Sequence, residues 1–170
     1  MRVAEKPGAL RAIAVFFAHS GDSWFWAIGL LAVWLSGDSF WKEWAVVQFL
    51  SISLLAALVL AIKFLIRRER PQGEWGQIYR VTDPHSFPSG HSARAFLIAT
   101  IATGLGPPEL AIILWIWAPL VALSRVAMGM HYLTDIIVGA LVGTLVAIIS
   151  LQIYEPLLTW LFNLLGFSLW

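Results

Sequence analysis

A multi-pass bundle of α-helices embedded in a membrane is the all-α fold this sequence predicts, and three observations predict it. Of its 170 residues, 59% are hydrophobic and only 12% are charged, whereas a soluble domain carries roughly 25% charged residues. Mean hydropathy is +0.79, and the apolar residues gather into runs broken by short segments containing Gly, Pro and Ser. The ten tryptophans suit membrane–water interfaces, with Trp41, Trp44, Trp75 and Trp160 near run ends. A chain of this length has no room for a second domain beside several spans, so a single domain over 1–170 is expected. About five to six membrane-embedded helices are expected in it, with short interfacial helices at the termini.

Taken in order, residues 1–8 carry Arg2, Glu5 and Lys6 and show no small-residue cleavage site after an apolar core, so no removed signal peptide is expected. Residues 9–19 are apolar around Arg11 but too short to span, which predicts a helix lying in the interface or half inserted. The break at Ser20-Gly21-Asp22-Ser23 leads to a helix over 24–35 that Asp22 or Ser23 can cap. The two read equally as separate helices or as one kinked span. His19 reads as a polar residue at a helix end. After the Gly37-Asp38-Ser39 turn, residues 44–66 give 23 nearly unbroken apolar positions, roughly 35 Å of helix and enough to cross a bilayer. Residues 67–87, with Pro71, Gly73, Gly76 and Pro84, form a polar connection that cannot cross back. Helices over 89–105, 109–123 and 131–153 follow, separated by Gly106-Pro107-Pro108 and Met128-Gly129-Met130. Residues 157–170 begin after Pro156 and contain Asn163, which predicts a separate interfacial helix or re-entrant piece. Gly139 and Gly143, four apart, suit close helix packing within the bundle.

Cysteine is absent, which excludes disulfides and thiolate metal sites, and a net charge of +1 says nothing about partners. The placement of the polar residues says more. His131 and Asp135 stand four apart at the head of an apolar run, where one helix face lets the carboxylate orient the imidazole and raise its basicity. Such an imidazole can be a base, a metal ligand or a nucleophile. Ser124-Arg125 closes the preceding run. Pro88-Ser89-Gly90-His91 opens another, where the Ser89 and Gly90 amides can face an anion at the positive end of the helix, with His91 in reach as a proton donor. Lys63 and Arg70 lie two turns apart on one face if their helix runs on to Arg70, with Pro71 ending it. Because the 67–87 connection does not cross and the next two helices leave and return, all three blocks converge at one membrane face. His91, His131 and Asp135 could also supply metal ligands, but the surrounding Lys63, Arg70 and Arg125 favour a phosphate over a bare divalent ion.

These blocks resemble the signature of the type 2 phosphatidic acid phosphatase (PAP2) superfamily of membrane lipid phosphatases, which shares its core with vanadium haloperoxidases. They are Lys63 with Arg70-Pro71, then Pro88-Ser89-Gly90-His91, then Ser124-Arg125 with His131 and Asp135, and every signature position is matched. The resemblance covers 63–135, which is 73 of the 170 residues. It implies that His131 attacks phosphorus to form a phosphohistidine, that Asp135 orients His131, and that His91 protonates the leaving oxygen and then activates water. Lys63, Arg70, Arg125 and the Ser89 and Gly90 amides would hold the non-bridging oxygens. The scheme needs no metal and no cofactor.

Outside the signature, Arg67, Arg80, His85 and Arg94 are candidates for the substrate entrance; Arg67, Arg68, Arg80 and Arg94 read either as anchors or as holding the substrate's polar group, and Asp83 and His85 either as loop residues or as lining the entrance. The expected partners are a membrane lipid phosphate and the bilayer, with no nucleic acid, and the oligomeric state is open. Phosphatidic acid, phosphatidylglycerol phosphate and prenyl phosphates or diphosphates all fit, so a prenyl diphosphate phosphatase is the alternative to a glycerolipid monophosphatase. A haloperoxidase-like enzyme and a transporter are the competing readings from other classes. If 24–35 is the first full crossing, ten of the eleven Lys and Arg fall on the site's side and only Lys42 opposite, which points the site to the cytoplasm.

Overall fold

The computed structural model describes residues 7–72 and 83–166, and six helices account for most of them. α1 (Ala9–Ser20) and α2 (Ser23–Ser36) are separate helices divided by Gly21 and Asp22. Asp22 occupies the N-cap position of α2, yet its carboxylate makes no cap bond because it is engaged by two histidines. α3 (Ser39–Ile66) begins ahead of its apolar run because Asp38 Oδ1 accepts the Trp41 amide at 3.2 Å. It ends at Ile66, where Arg67 turns left-handed (φ 50°) and its amide closes onto Lys63 O at 2.9 Å. The helix therefore stops short of Arg70, which corrects the expected two-turn stack of Lys63 and Arg70, and Pro71 is not what ends it.

α4 (Gly90–Leu105) starts behind Ser89, whose Oγ faces the Ser92 amide at 3.4 Å, and stops at Gly106. α5 (Pro108–Ala127) places Pro108 at its first position, where no backbone donor is lost, and gives way to Met128 and a left-handed Gly129 (φ 67°). α6 (Leu133–Leu165) runs through Pro156 to Gly166 (φ 73°). The separate C-terminal helix expected after Pro156 is thus a continuation of α6: a proline removes one hydrogen bond, and apolar residues continue the helix on both sides. Tyr132, in extended conformation, is the N-cap of α6, so His131 precedes the helix instead of riding on it.

α4 is the centre of the bundle, packed chiefly by α5 and α6 with α3 alongside. Ala93, Ala95, Leu97, Ile98, Ala99 and Ala102 are fully buried on it. Small residues set how closely α6 approaches. A β-carbon on Gly139 would lie 2.6 Å from the Ser89 carbonyl oxygen, and one on Gly143 would lie 2.7 Å from the Ala93 carbonyl carbon. The glycine pair thus serves packing inside the bundle. Polar bonds pin the same contacts: Gln48 Nε2 donates to Ile98 O at 3.2 Å, and Ser92 Oγ to Ile136 O at 2.7 Å. The outside is apolar, with Leu54 and Leu65 on α3, Ile112 and Ile116 on α5, and Leu141 and Leu145 on α6 all exposed. Such a surface suits hydrocarbon, and α3, α5 and α6 are each long and apolar enough to cross a membrane.

Candidate active site

Beyond α3 the chain doubles back across the end of the bundle. Glu69 and His85 form an antiparallel bridge, the Ser86 amide donates to Arg68 O at 2.8 Å, and Ser86 Oγ donates to Glu69 O at 3.1 Å. This pairing carries Arg70 and Asp83 to the buried end of Lys63. Lys63 Nζ donates to Asp83 Oδ2 at 2.5 Å and to His85 O at 3.0 Å. Arg70 donates from NH2 to the same Asp83 oxygen at 2.8 Å and from Nε to Asp83 O at 2.7 Å. The two cations do converge, through a folded-back strand and a shared carboxylate instead of a helix face.

His131 is buried, and its two ring nitrogens have different partners. Nδ1 lies 2.8 Å from Ser86 O. A carbonyl only accepts, so Nδ1 carries the proton and Nε2 keeps its lone pair. That lone pair faces Arg70 NH1 at 3.2 Å, and NH1 also donates to Met130 O at 3.0 Å. Asp135 Oδ2 stands 3.6 Å from Nδ1, beyond hydrogen-bond length. Ser86 O is therefore the hydrogen-bond partner of Nδ1, and Asp135 stands beside the same nitrogen as an ion-pair neighbour, because His131 lies ahead of α6 and Asp135 also caps that helix. Asp135 accepts the Tyr132 amide at 2.9 Å and Arg68 NH1 at 2.9 Å. Arg68 also donates to Thr134 Oγ1 at 2.7 Å and sits 4.1 Å over the Tyr132 ring. Burial pushes the His131 imidazole down, the Asp135 carboxylate opposes this, and the charges of Arg125, Arg70 and Lys63 add to the fall, leaving it at about 4. The resting ring is neutral, and its Nε2 lone pair accepts from Arg70 NH1.

Arg125 is 1% exposed, and its NH1 donates to Ala18 O at 3.1 Å, holding α1 to the end of α5. His91, in the first turn of α4, is bound from the other side: its Nε2 meets Asp22 Oδ1 at 2.7 Å. Arg94 donates to Gly21 O at the α1–α2 joint. The Ser89 amide is not free to meet an anion as expected, since it donates to Asp135 O at 3.0 Å and ties α4 to α6. The Gly90 amide, at the first position of α4, keeps the orientation of an N-terminal donor.

A cavity of about 320 Å³ opens among these groups, lined at its polar end by Lys63, Asp83, Gly90, His91, Arg94 and His131. Of the candidate entrance residues, Asp83, His85 and Arg94 line it. Arg67 does not: it is exposed, and its Nε donates to Phe64 O at 2.9 Å, closing the end of α3. Arg80 lies outside the described residues. Sequence reasoning missed Asp22 and the grip of Arg68 on Asp135. Their partners are 69 and 67 residues away, and no local pattern announces such pairs.

The chain has relatives in sequence and in fold. Residues 44–158 match the PAP2 superfamily. The decaprenylphosphoryl-5-phosphoribose phosphatase of Mycobacterium tuberculosis is 32% identical over 152 residues, covering 86% of this chain and 81% of that protein. The lipid A 1-phosphatase of Porphyromonas gingivalis is 32% identical over 109 residues, 62% of this chain but only 23% of the longer relative. The crystal structure of Aquifex aeolicus LpxE superposes with a TM-score of 0.70 at 28% identity, over 88% of this chain and 90% of that one. With the match running over 44–158 and enclosing Lys63, His91, Arg125, His131 and Asp135, the chain belongs to the PAP2 superfamily.

Proposed function

We propose that this protein is a membrane phosphatase that hydrolyses a phosphate ester of a lipid, without a metal, through a phosphohistidine on His131. The observation that supports it best is the make-up of the cavity. Its polar end holds both histidines and Lys63, and its side is the apolar face of α3 formed by Ile52, Leu55, Ala56 and Val59. From Lys63 back to Ile52 is 11 residues, roughly 16 Å of helix. A hydrocarbon tail lies along that wall while the phosphate occupies the charged end. The relatives named above act, by name, on lipid A and on a decaprenyl-linked phosphoribose, which supports a lipid phosphate ester as the common substrate feature.

In this reading the phosphate displaces the Asp83 carboxylate from Lys63 and Arg70, which then hold the non-bridging oxygens together with the Gly90 amide. Arg125 adds charge from behind His131. His131 Nε2 forms a bond to phosphorus as the bond to the leaving oxygen breaks, and the proton of His91 goes to that oxygen. The imidazolium that results is stabilised by Ser86 O at Nδ1 and by the nearby Asp135 charge. His91 then takes a proton from water as its oxygen attacks phosphorus, and His131 leaves unchanged with inorganic phosphate released. The cationic groups provide the charge stabilisation that a metal supplies in other phosphoryl transfers.

Several finer assignments belong to the same proposal. The chain acts as one domain, with the signature blocks within 63–135. The decaprenyl relative, matched over 86% of this chain, favours a prenyl phosphate over a glycerolipid phosphate. The excess of basic residues on the site's side supports a cytoplasmic site, and labelling of a cysteine at position 77 by an impermeant reagent in intact cells would contradict that. The activity itself is tested by phosphate release from prenyl and diacyl lipid phosphates and diphosphates in detergent with chelator present. Release that persists in chelator and is lost in His131→Ala is expected. Release abolished by chelator, or retained in the variant, overturns the scheme.

A further inference from the structure

Asp22 lies outside the three signature blocks, at the joint between α1 and α2, and the mechanism above makes no use of it. Its position is nevertheless defined from several sides. Oδ1 meets His91 Nε2 at 2.7 Å, and Oδ2 meets His19 Nδ1 at 3.2 Å. The joint is fastened to the bundle by Arg94 on Gly21 O, by Arg125 NH1 on Ala18 O at 3.1 Å, and by Trp26 Nε1 on Ser20 O at 3.1 Å. A β-carbon on Gly21 would lie 3.0 Å from Val121 Cγ1 and 3.5 Å from His91 Cδ2. The carboxylate therefore has little freedom to leave the ring. Side-chain exposure falls from 40% at His19 to 18% at both Asp22 and His91, so the three groups run inward from the rim to the cavity.

We propose that Asp22 is the positioning residue of His91 in the phosphoryl transfer, with His19 steadying the second carboxylate oxygen. The proposal rests on the reading of His91 as the acid. A carboxylate only accepts, so the Nε2–H of His91 is committed to Asp22, and Nδ1 is left to face the substrate. The acid is the doubly protonated ring, with Nε2–H held by Asp22 and a second proton on Nδ1: in the first step the Nδ1 proton passes to the leaving oxygen as the P–O bond breaks and the His131 N–P bond forms, leaving His91 neutral. In the second step Nδ1 takes a proton from the attacking water as the N–P bond breaks. Nε2 keeps its proton and its bond to Asp22 throughout. The carboxylate fixes the ring's rotation and tautomer, and it favours the protonated ring when the proton is needed.

A merely structural Asp22 and a positioning Asp22 differ in how their loss depends on the leaving group. A poor leaving group, such as the alkoxide of an alkyl phosphate, needs the proton, and p-nitrophenolate does not. The test compares kcat and KM for an alkyl phosphate lipid analogue and for p-nitrophenyl phosphate in four proteins: wild type, Asp22→Asn, His91→Ala and the double variant. Asp22→Asn is expected to lower kcat on the alkyl phosphate about 10- to 100-fold, part of the ~10²–10⁴-fold that an acid supplies. It should change p-nitrophenyl phosphate turnover less than 3-fold and leave KM for both within about 3-fold. In the His91→Ala background it should add nothing. Equal loss on both substrates, or a loss that multiplies with His91→Ala, overturns the role of Asp22. If His91→Ala itself shows no preference for the good leaving group, the reading of His91 as the acid fails instead. Should Asp22→Asn not accumulate as folded protein, Asp22→Ser removes the same carboxylate with less bulk, and the same leaving-group dependence is expected and the same uniform loss overturns it.

Discussion

Gly143→Ala is expected to reach the active site from a position that touches none of it. A β-carbon there would run into the Ala93 carbonyl oxygen, its nearest neighbour, and would lie 2.7 Å from the Ala93 carbonyl carbon and 2.9 Å from Ala93 Cα, where carbon atoms ordinarily stand about 3.5–4.0 Å apart. The shortfall is at least about 1 Å, and all three contacts are backbone, so no side chain can swing aside to absorb it. α6 must move away from α4. Overpacking of this kind costs about 1–3 kcal/mol, and at about 2–4 °C per kcal/mol for a chain of this size thermal unfolding in detergent falls by several degrees. The functional effect follows from what the two helices carry. α4 opens with Gly90 and His91, and α6 opens with Asp135 in its first turn. A displacement of about 1 Å between catalytic groups can cost up to ~10²-fold in rate. Phosphate release should therefore fall about 10- to 100-fold in kcat, while Leu141→Ala, at a side chain 65% exposed on the lipid side of α6, keeps wild-type turnover. Wild-type stability and activity in Gly143→Ala would refute the claim that α4–α6 contact sets the site.

Three further outcomes are expected. Asp83→Asn removes the internal anion that Lys63 and Arg70 share at 2.5 and 2.8 Å; steady-state kinetics should show KM for a lipid monophosphate falling about 3- to 10-fold as the competitor is lost, and a rise would mean that Asp83 gathers the cations instead. Arg68→Ala frees Asp135 Oδ1 from its 2.9 Å partner and should lower kcat about 10-fold, of the order of one charge-assisted hydrogen bond, with KM little changed; an unchanged kcat would make Arg68 a surface anchor only. The depressed His131 value also sets a pH dependence of stability. Its folded pKa of about 4 lies below the ordinary 6.5 or so, so between these values the unfolded chain binds more protons and stability falls as pH falls. Melting temperatures in detergent at pH 7 and pH 5 should therefore differ more in wild type than in His131→Ala; equal differences would contradict a neutral buried ring.

The membrane bundle and the three blocks were legible because both depend on local pattern. Apolar runs fix the helices, and their ends are marked by Gly106 and Pro108 through the backbone and by Asp38 and Ser89 through side-chain caps. Single-residue conformations were not legible. Arg67 adopts a left-handed geometry that its residue type does not advertise, and this ended α3 early and moved Arg70 onto a returning strand. Pro156 reads as a helix breaker, yet α6 continues because the apolar sequence on both sides outweighs one missing bond. The i,i+4 spacing of His131 and Asp135 suggested a helical pair, whereas the Tyr132 cap leaves His131 outside and gives its Nδ1 to Ser86 O. Long-range partners escaped for a different reason. The pairing of Asp22 with His91, of Asp83 with Lys63 and Arg70, and of the Ser89 amide with Asp135 O depends on tertiary packing that no spacing in the chain encodes.

The central claim is that His131 Nε2 becomes covalently bonded to phosphorus. Rapid acid-free quenching of the purified protein with a ³²P-labelled lipid phosphate, followed by peptide mapping, tests it most directly. The account predicts a label that is stable to base, labile to acid, located at His131, formed in the presence of chelator, and absent from His131→Ala. Turnover with no label on His131, or a label that persists in the alanine variant, would contradict it.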